Sequence, residues 1–117
     1  MILHIISQSD WEQAQSQNAY VPASLRHEGF IHFSLPDQVI ATANRFYEGQ
    51  TDLLLLLVDE TKLRLELRYE LPLEAPESDL RFPHLYGALN LDAVLRTVDF
   101  PPDAEGHWSA LPAGINR

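Results

Sequence analysis

Six consecutive apolar residues, Leu53-Leu54-Leu55-Leu56-Leu57-Val58, constrain this chain more than any other segment. The run falls far short of the ~20 residues that span a bilayer. It is also too short for a lone buried helix, and turn-forming residues flank it, so it predicts a central strand. Met1 to Ile6 has the same character, apolar on both faces except at His4, and predicts another central strand.

The remaining elements follow from capping, breakers and periodicity. Ser9-Asp10-Trp11-Glu12 has the capping-box pattern and predicts a short helix to about Gln17, capped by Ser9, with Trp11 and Ala14 turned to the core. Asn18 to Gly29 reads as irregular, broken by Pro22 and Gly29, with a single helical turn around Ser24 to His27. A brief strand follows from Phe30 to Ser34. Pro36 then fits the first turn of a second helix, whose stripe of Val39, Ile40, Ala43, Phe46 and Tyr47 has the spacing of a buried face and which Gly49 stops. Leu63 to Glu70 alternates strictly, with Leu63, Leu65, Leu67 and Tyr69 on one face and Arg64, Glu66, Arg68 and Glu70 on the other. That is the pattern of a half-exposed strand with an antiparallel partner. Pro72, Glu74, Pro76, Glu77 and Asp79 mark a loop; a strand at His84 to Tyr86, a turn near Gly87 to Asn90 and a last strand at Ala93 to Phe100 complete the set. Early helices followed by a run of strands give an α+β class: a curved, mainly antiparallel sheet with two principal helices in the N-terminal half.

A length of 117 residues suits one domain, 1–117, with 101–117 as an irregular tail that Trp108 pins down. A hydrophobic fraction of 45% against 21% charged residues excludes general disorder. Seventeen acidic and eight basic residues leave a net charge of -9, which disfavours general nucleic-acid binding, because that affinity comes from clustered Lys and Arg. A small anionic ligand needs only one or two arginines; Arg26, Arg45, Arg68 and Arg81 are candidates, or else solvated partners of neighbouring carboxylates. The absence of cysteine removes disulfides and thiolate chemistry. The opening residues lack a basic leader and a long apolar region, so a soluble, cytoplasmic protein without membrane contact is expected.

Of the five histidines, His4, His32 and His84 sit inside short apolar strands. Strand alternation puts Phe30, His32 and Ser34 on one face and His84 with Tyr86 on another. Imidazole can donate, accept, titrate near neutrality or bind a metal, so such faces are chemically capable. Three imidazoles can also make a zinc site, but no HxH or HExxH pair occurs, and no metal is expected. His4 alone can equally be a satisfied core histidine. Ser34, between strand and helix, lacks the glycines of a nucleophile elbow; its simplest role is to cap the second helix, where an anion can also be received. Glu66 and Glu70, on the polar face of the alternating strand, read as solvated.

Leu3-His4-Ile5, Glu28-Gly29-Phe30-Ile31-His32-Phe33-Ser34, Ala43-Asn44-Arg45-Phe46-Tyr47 and Phe82-Pro83-His84-Leu85-Tyr86-Gly87, with Leu91-Asp92-Ala93-Val94, resemble a small bacterial family known only as domain of unknown function 952. The segment order is also similar to a minimal ADP-ribosyltransferase fold, a split β-structure that binds NAD. That resemblance implies that His4 hydrogen-bonds the adenosine ribose, that His32 replaces the tyrosine stacked on nicotinamide, and that Ser34 seats the nicotinamide pocket. His84 stands where the fold family carries a glutamate, beside Tyr86. Cleavage of the nicotinamide–ribose bond develops oxocarbenium character that a carboxylate stabilises, which a neutral imidazole does not.

The resemblance therefore implies an NAD- or ADP-ribose-related transferase or NAD-cleaving protein with a His-His-His pocket. His84 and His32 are its catalytic candidates, and His4, His32, Ser34 and Tyr86 its cofactor contacts. NAD is the implied substrate and a small nucleotide the implied partner. A non-catalytic nucleotide-binding module and a His-lined metal-dependent hydrolase are the alternatives. Acceptor and oligomeric state are not legible.

Overall fold

A computed structural model describes residues 1–72 and 80–115. Six strands and three α-helices follow in the order β1 Ile2–Ser7, α1 Gln8–Gln17, α2 Ala23–His27, β2 Ile31–His32, α3 Val39–Phe46, β3 Leu53–Val58, β4 Leu67–Glu70, β5 Phe82–Leu85 and β6 Val94–Asp99. The class is α+β, and the strands form two antiparallel three-stranded sheets, ordered β1-β3-β6 and β2-β5-β4. Leu3 and Ser34 join the sheets by exchanging backbone bonds of 2.8 Å in each direction.

The apolar run is central, as its composition demands. β3 pairs with β1 on one side and β6 on the other, and all six of its residues are buried. Each face has its own cover. Leu54, Leu56 and Val58, with Ile2 and Ile6, pack against α1, Tyr20, Phe33 and Leu85 of the second sheet. Leu53, Leu55 and Leu57, with Leu3 and Ile5, pack against Val39 and Ala43 of α3 and against Phe100, Trp108 and Ile115 of the tail. His4 lies on the first of these faces, opposite Leu56. None of the described helices is long and apolar enough to cross a membrane.

Several local expectations are corrected. Ser7, not Ser9, caps α1: its Oγ accepts from the Asp10 N–H at 3.1 Å because the strand runs one residue further and the helix starts at Gln8. Ser34 does not cap α3, which begins only at Val39; the Leu35 N–H is instead taken by Gln38 Oε1 at 2.9 Å, and Ser34 belongs to the bridge with Leu3. Leu63 to Glu66 do not continue β4. Asn90 draws that stretch into a turn, accepting from the Arg64 N–H at 3.2 Å and donating to the Lys62 carbonyl at 2.9 Å. The strand expected at His84 to Tyr86 begins two residues earlier and ends one earlier, at Phe82–Leu85, while the helical turn expected around Ser24 to His27 is present as the short helix Ala23–His27 beside the two principal ones. The loop expected over Pro72 to Asp79 lies, beyond Pro72, outside the described residues. The tail has no regular structure over 101–115, and Trp108 does pin it: buried, it stacks on Phe100 with ring centroids 5.3 Å apart and donates to the Phe100 carbonyl at 3.1 Å.

Candidate functional site

A cleft of about 920 Å³ opens where the two sheets part. β1 is an edge of its sheet, and beyond the Leu3–Ser34 bridge no backbone pairing on that side is present among the described residues. Along an antiparallel strand, alternate residues aim their backbone groups at opposite neighbours, so Ile5, like Leu3, turns its N–H and C=O to this open edge. Tyr20, Ser24 and Glu28 line one wall, and Thr42, Arg45 and Phe46 of α3 line the other. Phe46 is half exposed, not buried in the helical stripe, because it sits at this opening.

The cleft brings His4, His32, His84 and Ser34 together, and the structure gives each histidine different surroundings. His4 is 8% exposed. Its Nδ1–H donates to the His32 carbonyl at 2.5 Å, which leaves Nε2 to accept from the Tyr20 hydroxyl at 2.9 Å. Burial is the largest cause that lowers its pKa to about 4, so the ring stays neutral and its tautomer is fixed by its partners. Both nitrogens are engaged within the protein, and Tyr20, which also lines the cleft, holds Nε2.

His32 and His84 are direct cross-strand partners on β2 and β5, with ring centroids 5.5 Å apart. His84 is 3% exposed, with Phe30 stacked on its ring at 4.1 Å between centroids. Its Nδ1 lies 3.0 Å from Glu70 Oε1. The same oxygen accepts from the Tyr86 hydroxyl at 2.5 Å, and these bonds, Tyr86 first and His84 second, hold the Glu70 carboxyl below its ordinary pKa. Glu70 is therefore not simply solvated. In the β4–β5 register Arg68 faces His84 and Glu70 faces Phe82, so the Glu70 carboxylate reaches diagonally to His84. Glu66, by contrast, does stay in solvent with Arg68. Tyr86 is not among the described residues lining the cleft; it packs behind them, with the Arg68 guanidinium 4.4 Å from its ring centroid.

His32 remains half exposed, its side chain 40% accessible, and its Nε2 lies 3.0 Å from Glu28 Oε2. The turn after α2 makes this contact. Gly29 adopts φ +88, a conformation that costs an L-residue about 1–2 kcal/mol, and there the chain folds back so that Glu28 meets the strand it precedes. A Cβ at Gly29 would meet nothing within 4 Å, so backbone conformation and not space requires the glycine.

The arrangement is thus two imidazole–carboxylate pairs side by side, backed by a ring, beside a neutral histidine–tyrosine pair. Among the described residues no group of three or more His, Asp or Glu side chains is placed to hold a metal ion. In the sequence Glu28 only opens the segment Glu28 to Ser34, Glu70 reads as a solvated strand residue, and Tyr20 carries no signal. Their roles arise from a turn, a strand register and a separation of 16 residues between His4 and Tyr20.

A family model described as a protein of unknown function (DUF952) matches residues 5–97. The X-ray structure of protein CC0527 from Caulobacter crescentus is 36% identical, with 91% of this chain and 90% of that one covered and a TM-score of 0.79. The solution NMR structure of CC0527 is 36% identical, with 90% and 88% covered and a TM-score of 0.74. No curated protein matches the chain.

Proposed function

Because the chain belongs to the DUF952 family, whose description assigns no activity, we propose from the cleft itself that it binds NAD or ADP-ribose and cleaves the nicotinamide–ribose bond of NAD. One observation carries this reading: the three strand-borne histidines meet on a single cleft of about 920 Å³, near the upper end of the range for small-molecule pockets, and two of them are paired with carboxylates.

The carboxylate answers the main chemical difficulty. A neutral imidazole at position 84 brings no negative charge to a developing oxocarbenium ion. His84 bonded to an ionised Glu70 does, because the pair carries the charge that the ring alone lacks. At the other end of the cleft, a ribose hydroxyl meets Tyr20. That oxygen gives its proton to His4 and keeps its lone pairs for a donor. His32 and Ser34 lie between, where the nicotinamide–ribose bond is placed. The proposal retains the α+β framework as an ADP-ribosyltransferase-like one and keeps the cytoplasmic location expected from the sequence.

Thermal-shift titration with NAD and with ADP-ribose, run beside a chromatographic assay for nicotinamide, tests this. Both ligands are expected to raise the melting temperature saturably, and NAD to be converted to nicotinamide. Stabilisation without turnover would reduce the function to a nucleotide-binding module. Neither effect at millimolar NAD would overturn the reading.

A further inference from the structure

We propose that His32 is the general base that activates the acceptor in this cleft, that Glu28 positions it, and that the acceptor is an O–H group, water or a hydroxyl. The inference rests on the NAD-cleaving reading and specifies its second substrate.

Comparison of the three imidazoles singles out His32. His4 has no lone pair to offer: Nδ1 donates to the His32 carbonyl, Nε2 accepts from Tyr20, and burial makes the ring a poor base. His84 is only 3% exposed, with Phe30 stacked on its ring and Nδ1 on Glu70. His32 alone of the three is substantially open to solvent, and it lines the cleft together with Glu28. Because a carboxylate only accepts, the neutral His32 ring carries its proton on Nε2, toward Glu28, and its lone pair on Nδ1. Nδ1 has no hydrogen-bond partner among the described residues. Phe30 meets the ring edge-on at 4.8 Å between centroids, so the orientation is held from one side by packing and from the other by Glu28.

This is the arrangement of a base oriented by a third group, and it suits an acceptor that must lose a proton. A carboxylate or phosphate acceptor is already ionised near neutrality and needs no proton removed. Water or an alcohol does. In the step, the acceptor oxygen bonds to ribose C1′ while the C1′–N bond breaks. The bonding pair passes to the nicotinamide nitrogen and cancels its positive charge, and the acceptor proton moves to His32 Nδ1. Nicotinamide and an O-linked or free ADP-ribose leave.

Nicotinamide release should be measured on the full chain in buffer and in buffer with methanol, for the wild type and for His32→Ala, Glu28→Gln and Glu28→Asp, each checked for an unchanged melting transition. Wild type is expected to give ADP-ribose in buffer and, in addition, methyl ADP-ribose with methanol. His32→Ala should lower kcat by about 10²–10⁴-fold. Glu28→Gln should lower kcat about tenfold while KM for NAD stays within about twofold, and Glu28→Asp should recover part of the loss, a split that a merely structural role would not produce. NAD cleavage retained within about twofold in folded His32→Ala overturns this inference and leaves the NAD reading standing. Wild type that yields no nicotinamide overturns both. If His32→Ala does not fold, Glu28→Gln with unchanged kcat overturns the assignment.

Discussion

His4 shows how much one position in a strand can decide. It interrupts the otherwise apolar face of β1, and the protein keeps it there by giving both ring nitrogens partners and holding it neutral. Since its folded-state pKa is about 4 against an ordinary 6.5, the unfolded chain takes up a proton first as pH falls. The stability that comes from keeping His4 neutral is complete above pH 6.5 and is lost progressively from there toward pH 4, by roughly 2 kcal/mol between pH 6.5 and 5. His107 opposes this, because its bond to Glu48 raises its pKa, so that exposed pair stabilises on the acid side and weakens as pH rises. Urea unfolding of a His107→Gln variant should therefore show stability declining between pH 6.5 and 5; a flat profile would contradict a buried, neutral His4. The histidines themselves were legible in the sequence, because polar residues inside apolar strands stand out. Their carboxylate partners were not. Glu28 and Glu70 look like any solvated glutamate until a glycine turn and a strand register bring them onto His32 and His84.

At the level of elements, the strands of highest apolar density are the ones that sequence reading locates best. β3 occupies the whole of Leu53–Val58, and β1 differs by one residue at each end. What fails is what depends on competition between side chain and backbone. Two serines, Ser7 and Ser9, can each begin α1, and only the length of the strand before them decides for Ser7. The alternation from Leu63 predicts a longer β4 than exists, because Asn90 claims the backbone groups at Lys62 and Arg64. The tail depends on a similar side-chain clamp. Asn44 donates to the Trp108 carbonyl and accepts from the Trp108 N–H, both at 2.8 Å, and so fastens the tail to α3. Gly106 makes the neighbouring contact possible: its carbonyl accepts from the Gly49 N–H at 3.0 Å, and a Cβ there would press on the Gly49 backbone. Replacing Asn44 with Ala removes both clamp bonds and leaves the Trp108 groups without them, at a cost of about 2 kcal/mol. Chemical denaturation should read that loss as a lower midpoint with a similar slope. A midpoint equal to that of the wild type would mean that the Phe100–Trp108 stack holds the tail by itself.

For the molecule as a whole, the doubly apolar β3 requires cover on both faces, and the two covers differ in consequence. One is α3 with the tail, the other the second sheet, and among the described residues the Leu3–Ser34 bridge is where backbone pairing joins β1 to that side. A cleft is left at the edge of β1, and the histidine strands form its floor. The chain carries a net charge of -9, and Arg45 lines the cleft. The α+β class was readable from the chain; the meeting of its three histidines was not, since it depends on contacts between strands far apart in sequence. Histidine-ring NMR during titration with ADP-ribose reads the nucleotide cleft at its own side chains. Binding there gives saturable shifts of the His32 and His84 ring signals, a smaller one at His4 through Tyr20, and none at His27 or His107. Rings of His32 and His84 that stay unmoved at millimolar ADP-ribose would contradict it.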